Sequence, residues 1–230
     1  MPTIVDPETI KRLNSIIPAN SNHKRQAAAL PSYVNWVEKG FLNPVRSQDC
    51  GSCWAFASIT LIEAHYAIKF GKNISLSEEH LINCIVDQTG KSGCQGAGIY
   101  PALLFAKYKG ISTAEQYPHN PNRNGIDTNY CKAGVPTSDV RVLGRVDIPS
   151  GDEEALKEAV ATKGPIGIAM LALDNFGKYK SGIYDDPECE NSISAGGQSV
   201  NHNIIIVGYV EENGIPYWLI RNSWGASWGF

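Results

Sequence analysis

The chain has 230 residues, of which 43% are hydrophobic and 19% are charged, a composition typical of a folded globular protein. Its 20 lysine and arginine residues face 23 aspartate and glutamate residues, and this net charge of −3 argues against a general nucleic-acid binder, which needs a basic surface. No run approaches the ~20 consecutive apolar residues of a membrane-spanning helix.

Residues 1–29 differ from the rest of the chain because they are polar and loosely patterned. They contain neither the basic segment nor the apolar segment of a secretory signal peptide. We interpret them as a leader or the remnant of a propeptide, and we expect the folded domain to cover residues 30–230.

Four helices are predicted in the first two thirds of the chain, at 53–70, from Ser75 or Ser77 through 82, at 99–109 and at about 151–162. The first is almost continuously apolar and stops at Gly71, which indicates a buried helix with a glycine cap. For the fourth, Ser150 is the predicted N-cap, with Glu153 three residues later. The glycine and proline at 164 and 165 end it.

Strands are predicted after Pro165, at 166–171, 204–210 and 217–220. Helices early and strands late predict an α+β fold with two unlike lobes. The Asn-Gly pair between the last two strands is a strong hairpin signal. A turn centred between residues 212 and 213 places His202 almost opposite Asn222, and an asparagine beside a histidine is suited to orienting the imidazole ring.

The motif with the sharpest chemical meaning is QDCGSCW at residues 48–54. A neutral thiol is a poor nucleophile, but Cys53 lies in the first turn of a predicted helix, whose dipole favours the thiolate. Cys50 and Cys53 could instead form a redox pair or half of a zinc site. No second Cys-x-x-Cys or paired histidine supplies the remaining zinc ligands.

The CGSCW motif, with a histidine and an asparagine far downstream, resembles the papain-like (cathepsin-type) cysteine peptidase family. Further blocks resemble the family in the same order along the chain, at residues 30–36, 76–84, 93–96, 201–203 and 221–229. The resemblance implies a papain-like two-lobe α+β fold with the active-site cleft between the lobes. Its helical left lobe would cover about 39–140, and its β-barrel-like right lobe about 30–38 plus 141–230.

The resemblance implies a role for each catalytic position. Cys53 would be the nucleophile, His202 the general base and acid, and Asn222 the residue that orients the imidazole. Trp224 would shield the bond between His202 and Asn222 from water. Gln48 would bind the oxyanion together with the backbone N–H of Cys53. No metal or organic cofactor is implied.

The resemblance also implies a substrate-binding set, consisting of Gly96, Ala97, Ala169, Asn201 and Asn203. The chain departs from the family pattern at three places. The loop from Gln48 to Cys50 is one residue shorter and lacks a glycine. Ala97 replaces the second of two glycines. Asn203 is polar where the family has a small apolar residue, at a position that lines the S2 pocket with Ala169.

The resemblance pairs Cys50 with Cys94 and Cys84 with Cys131. Cys189 is then left without a partner, which in the family comes from beyond the last tryptophan-glycine block. We therefore expect the chain to end before the family's final strands. Disulfides imply an oxidising compartment, and the family implies a lysosomal, vacuolar or secreted location.

Two functions follow as hypotheses. The first is a monomeric cysteine endopeptidase that acts on protein or peptide substrates and is bound by its own propeptide and by cystatin-like inhibitors, with no nucleic-acid or membrane partner. The alternative is a catalytically impaired homologue that acts as a binding or antigen-like protein. The shortened Gln48 loop, Ala97 and the early C-terminus motivate that alternative.

Overall fold

The computed structural model describes residues 29–85, 93–120, 131–189 and 200–229. The chain divides into two compact units, Met1–Leu30 and Pro31–Phe230, and the fold reported below is that of the second. Of the predicted leader, residues 1–28 lie outside the described residues. Its role and the boundary at residue 30 therefore stay predictions.

Five helices and one short 3₁₀ turn at Gly93–Gln95 lie wholly within the described residues. The helices are α1 (Cys53–Phe70), α2 (Glu78–Cys84), α3 (Ile99–Tyr108), α4 (Glu153–Thr162) and α5 (Asp174–Gly177). The first four were expected from the sequence. None of the five is long and apolar enough to cross a membrane.

Helix α1 ends as its sequence predicts. Gly71 adopts the left-handed conformation with φ of 67°, and its backbone N–H donates to the carbonyl of Ala67. The N-terminal end is different, because Ser52 precedes the helix without giving it a side-chain cap. The first N–H groups of α1, beginning at Cys53, are thus left without a capping side chain.

The predicted cap of α4 is wrong. Asp152, rather than Ser150, precedes the first helical residue, and its carboxylate accepts the backbone N–H of Ala155 at 2.9 Å. A capping side chain must reach a free N–H of the first turn, and Asp152 stands next to the helix whereas Ser150 lies two residues further out.

The four strands form one antiparallel sheet, with bounds β1 (Tyr33–Asn35), β2 (Ile166–Met170), β3 (His202–Glu212) and β4 (Ile215–Arg221). Strand β3 pairs with the other three. Ile205 and Ile206 pair with both β2 and β4, which therefore lie on opposite edges of β3. Gly208 is required where β1 crosses, because a β-carbon there would lie 1.9 Å from the Val34 carbonyl oxygen.

The β3–β4 hairpin is present, but its register differs from the prediction. The turn is centred between Asn213 and Gly214, which both have positive φ, so that Glu212 pairs with Ile215. An irregularity between Ile206 and Gly208 then shifts the pairing. The predicted turn centre is therefore wrong by one residue, whereas His202 and Asn222 do lie side by side at the open end of the hairpin, as predicted.

Two main clusters of buried side chains accompany the two kinds of secondary structure. One centres on α1 and α2 and includes Trp54 and Leu81, while the other centres on the sheet and includes Val34 and Ile206. A third, smaller cluster packs Ala57 of α1 against Ile205 and Val207 of β3. This contact brings the start of α1 to the start of β3, and so determines where the candidate site forms.

The helices and the antiparallel sheet confirm the predicted α+β class. Two unlike lobes each need a hydrophobic core, and the separate helical and sheet clusters of buried side chains are consistent with that. The residue limits of the lobes stay predictions.

Candidate active site

Cys53 and His202 meet where α1 and β3 begin. Both are the first residue of their element and both are buried, with 6% of each residue exposed. Their side chains lie close enough for each to shift the pKa of the other, that of Cys53 downward and that of His202 upward. The structure therefore brings together the predicted nucleophile and the predicted base.

Asn222 follows directly after β4 and holds the other side of the His202 ring. The Nε2 atom of His202 lies 2.8 Å from Oδ1 of Asn222. The same oxygen accepts the backbone N–H of Ser223, also at 2.8 Å. Because Nε2 is engaged by Asn222, Nδ1 is the ring nitrogen left for Cys53.

The surroundings shift the two ionisations in opposite directions. Burial raises the pKa of the Cys53 thiol, but hydrogen bonds from His202 and Asn203 outweigh it, so that the pKa lies below its ordinary value. Burial lowers the pKa of His202, but its bonds to Cys53 and Asn222 outweigh that effect and the pKa is raised. Both shifts favour a thiolate beside an imidazolium.

Aromatic side chains pack against the His202 ring. The centroid of the Trp224 ring system lies 4.8 Å from that of His202, with the planes tilted by 36°. Phe176 of α5 is fully buried and packs edge-on against Trp224 at 5.5 Å. Trp224 is thus in contact with the imidazole, as the shielding prediction requires, and the shielding role itself stays a prediction.

Gln48 is anchored at both ends of its carboxamide. Its Nε2 donates to the Cys50 carbonyl at 2.7 Å, and that carbonyl also accepts the Ser52 backbone N–H at 2.7 Å. Its Oε1 accepts the Ser223 hydroxyl at 2.5 Å. The amide has a second N–H, which these bonds do not use. The shortened loop therefore still ties Gln48 to the turn before Cys53, and oxyanion binding stays a prediction.

Ser223, to which the sequence pattern assigned no role, joins two parts of the site. Its backbone N–H binds Asn222, its hydroxyl binds the Gln48 side chain, and its carbonyl accepts the Gln48 backbone N–H at 2.8 Å. Its place between Asn222 and Trp224 in a family-like block was the signal available in the sequence.

The Asn222 amide nitrogen is buried and has no hydrogen-bond partner among the described residues. A cavity of about 10 Å³, lined by Thr60, Asn203 and Asn222 among others, lies beside it. That volume is about what a single water molecule needs.

Both predicted disulfides are confirmed. Cys50 bonds to Cys94 and Cys84 bonds to Cys131, with Cα–Cα distances of 5.2 and 4.6 Å. The first bond holds the loop before α1 close to the chain at 94–96. Gly51 permits this approach, because a β-carbon there would lie 2.3 Å from the carbonyl oxygen of Cys94. Among the described cysteines, Cys53 and Cys189 are free.

The predicted substrate-binding residues fall into two groups. Gly96, with φ of 95°, and Ala97 follow the 3₁₀ turn, while Ala169 and Asn203 face each other across β2 and β3. Asn201 lies apart, because its side chain is bonded to the backbone N–H and carbonyl of Ala172. Substrate binding at these five positions stays a prediction.

A buried charge cluster supports the segment that leads to Gln48. The Arg46 guanidinium forms ion pairs with Glu63 on α1 and Glu78 on α2. Glu63 also accepts the backbone N–H of Leu76 at 2.7 Å. Burial raises the pKa of Glu78 to about 7, although Arg46 opposes that shift. The cluster fixes the position of residue 46 against two helices.

Comparison with known proteins gives consistent matches. A family model described as "Papain family cysteine protease" matches residues 30–230. "Thiol protease aleurain" from Arabidopsis thaliana is 41% identical over 210 residues, which are 90% of this chain and 56% of that protein. "Cathepsin L" from Sarcophaga peregrina is 40% identical over 206 residues, which are 87% of this chain and 57% of that protein. The chain thus spans just over half the length of these curated relatives.

Two solved structures share the fold. Digestive procathepsin L 3 from the larval midgut of Tenebrio molitor has a TM-score of 0.76 and 33% identity, and the match covers 93% of this chain and 65% of that one. Bromelain protease from Ananas comosus, in complex with the E64 inhibitor, has a TM-score of 0.74 and 35% identity, with 87% and 86% covered. Given the family match over residues 30–230 as well, the chain belongs to the papain family of cysteine proteases.

Proposed function

We propose that the protein is a cysteine endopeptidase that hydrolyses peptide bonds through an acyl-enzyme on Cys53. The observation that carries the proposal is the meeting of Cys53 and His202 at the starts of α1 and β3, with the His202 ring held by Asn222 at 2.8 Å. A base beside the nucleophile, held in place by a third group, is the arrangement that activates a thiol.

In the first half of the reaction, the Cys53 thiolate attacks the carbonyl carbon of the scissile peptide bond. The oxyanion of the tetrahedral intermediate is bound by the backbone N–H of Cys53 and by the Gln48 amide. The His202 imidazolium then gives its proton to the leaving amine, and a thioester remains on Cys53. In the second half, His202 removes a proton from water, the water attacks the thioester, and the acid product leaves.

The substrates are protein or peptide segments that lie extended between two walls of the site. Gly96 and Ala97 form one wall, and Ala169 with Asn203 forms the S2 side. We include the protein's own propeptide and cystatin-like inhibitors as partners of the same cleft, with the protease acting as a monomer. The two disulfides support folding in an oxidising compartment, and we propose a lysosomal, vacuolar or secreted location.

The impaired homologue, acting as a binding or antigen-like protein, is the alternative. No described residue favours it. Cys53 and His202 adjoin each other, His202 is bonded to Asn222, and Gln48 retains contacts to the site despite the shorter loop.

The test is labelling with an epoxide thiol inhibitor under reducing, mildly acidic conditions, read by intact mass and peptide mapping. We expect one adduct on Cys53, lost in Cys53→Ser. Cys189→Ser is the matched control, because Cys189 is the other free thiol, and it should label like the wild type. Absence of an adduct on Cys53 would contradict the peptidase. An adduct without hydrolysis of any unfolded protein substrate would favour the alternative.

A further inference from the structure

Asn203 lies beside the nucleophile as well as beside the substrate pocket. Its side-chain nitrogen Nδ2 is 3.7 Å from the Sγ atom of Cys53 and 3.4 Å from the carbonyl oxygen of Ala97. One carboxamide therefore contacts the first residue of α1 and the loop after the 3₁₀ turn. Both contacts come from the second residue of β3, so they join the sheet to the helical part of the site.

The position of Asn203 is well defined by its surroundings. Its backbone pairs with Ala169 in β2, and its side chain is half-buried. The family-like pattern places a small apolar residue here, whose side chain has no N–H to offer to the sulfur. The backbone N–H of residue 203 also lowers the pKa of Cys53, and such a residue would keep it. A side-chain donor beside Cys53 is thus a distinctive feature of this chain rather than a part of the shared triad.

The chemistry of the amide favours one ionisation state of the sulfur. A hydrogen bond to an ionised acceptor is roughly twice as strong as one to a neutral acceptor, so an N–H close to Sγ stabilises the thiolate more than the thiol. We propose that Asn203 is a catalytic residue whose side-chain amide donates a hydrogen bond to the thiolate of Cys53, beside the imidazole of His202. This inference rests on the proposed function, in which the Cys53 thiolate is the nucleophile.

Asn203 and His202 should act differently as the pH changes. Among the groups that lower the pKa of Cys53, His202 is the one that titrates, whereas the side-chain amide and the backbone N–H of Asn203 stay neutral. Ala97 and Ala169, which also adjoin Asn203, carry no charge. The contribution of Asn203 therefore persists at high pH, where His202 has lost its proton, and it should also be measurable in a chain without His202.

The experiment measures the rate at which iodoacetamide, a neutral reagent, alkylates Cys53 as a function of pH. Asn203→Leu keeps the volume and removes the donor, and Asn203→Asp keeps the shape but places a negative charge near the sulfur. In the leucine variant, we expect the pH at which the alkylation rate inflects to rise by about 0.5–1 unit, which corresponds to the loss of one hydrogen bond. At pH values below this inflection, alkylation should be about 3- to 10-fold slower than in the wild type. Asn203→Asp should raise the inflection further.

Two comparisons separate this role from space filling. Asn73→Leu removes an exposed amide that is far from Asn203 in the sequence, and it should leave the pH dependence of Cys53 alkylation unchanged. In a His202→Ala background, Asn203→Leu should still raise the inflection, because the amide acts without the imidazole. If Asn203→Leu is destabilised in thermal unfolding, the smaller Asn203→Ala replaces it with the same expectation.

The outcomes distinguish this inference from the proposed function. A wild-type inflection below the ordinary value for cysteine, with coinciding profiles for Asn203→Leu and the wild type, overturns the inference and leaves the peptidase intact. An ordinary inflection in the wild type overturns both. An upward shift in Asn203→Leu with none in Asn73→Leu supports the assignment.

Discussion

The Nε2 atom of His202 lies 2.8 Å from the Oδ1 atom of Asn222. The backbone N–H of Ser223, which can only donate, binds the same oxygen and so identifies it as the amide oxygen. Since that oxygen can only accept, Nε2 carries a hydrogen. The proton that moves during catalysis is then the one at Nδ1, on the side of Cys53.

Asn222→Ala removes the acceptor that holds this tautomer and ring orientation. A hydrogen bond to a charged group contributes about 1.5–3 kcal/mol, so we expect kcat/KM for a fluorogenic peptide to fall about 10- to 100-fold. Thermal unfolding monitors the fold, because Asn222 is buried. Wild-type turnover in a folded variant would show that the imidazole is oriented by other contacts.

Gln48→Ala tests the oxyanion assignment. Removing one such donor costs about 10²–10³ in kcat, with little change in KM. Ser223→Ala is the matched control, since it removes the hydroxyl that holds Oε1 of Gln48 but keeps the Gln48 donor. We expect a loss of about 10-fold or less in that variant. Equal losses in both variants would mean that Gln48 acts only by supporting the loop.

The opposite pKa shifts of Cys53 and His202 predict a bell-shaped dependence of kcat/KM on pH. Activity should rise as Cys53 ionises, below the ordinary range of a thiol, and fall as His202 loses its proton, above the ordinary range of a histidine. Because Asn222 helps to raise the pKa of His202, Asn222→Ala should move the descending limb to lower pH. An unmoved limb would contradict the assignment of that limb to His202.

The buried charge cluster predicts how stability depends on pH. Burial raises the pKa of Glu78 to about 7, above the value of 4.5 for an unperturbed carboxyl. The folded state thus keeps the proton at pH values where the unfolded state has lost it. This group therefore stabilises the fold below about pH 4.5, and its contribution declines as the pH rises to about 7, by at most about 1.4 kcal/mol per pH unit.

Glu78→Gln removes this titration. Urea unfolding at about pH 5, 6 and 7 should show a weaker loss of stability with rising pH in the variant than in the wild type. Glu154→Gln, at an exposed position in the first turn of α4, is the control and should follow the wild type. Parallel pH dependence in Glu78→Gln and the wild type would refute a titration of Glu78 in this range.

Local signals in the sequence located most of the secondary structure. Gly71 marks the end of α1 because only a residue that tolerates positive φ fits there, and the Asn213-Gly214 turn needs two such residues. Strand β1 was missed, because three residues carry too little pattern. This strand is defined by its hydrogen-bonded pairing with β3, in which Asn35 pairs with Gly208.

By itself, the sequence determined which residue types the site could use. The motif around Cys53 and the family-like blocks around His202 and Asn222 indicated the nucleophile, the base and the orienting amide, since these depend on chemistry and order along the chain. The tertiary structure alone decided which atoms meet. The packing of Ala57 against β3 brings Cys53 to His202, and the register of β3 carries the Asn203 amide to the sulfur. Such contacts join residues far apart in the chain, and no local pattern of propensity or spacing encodes them.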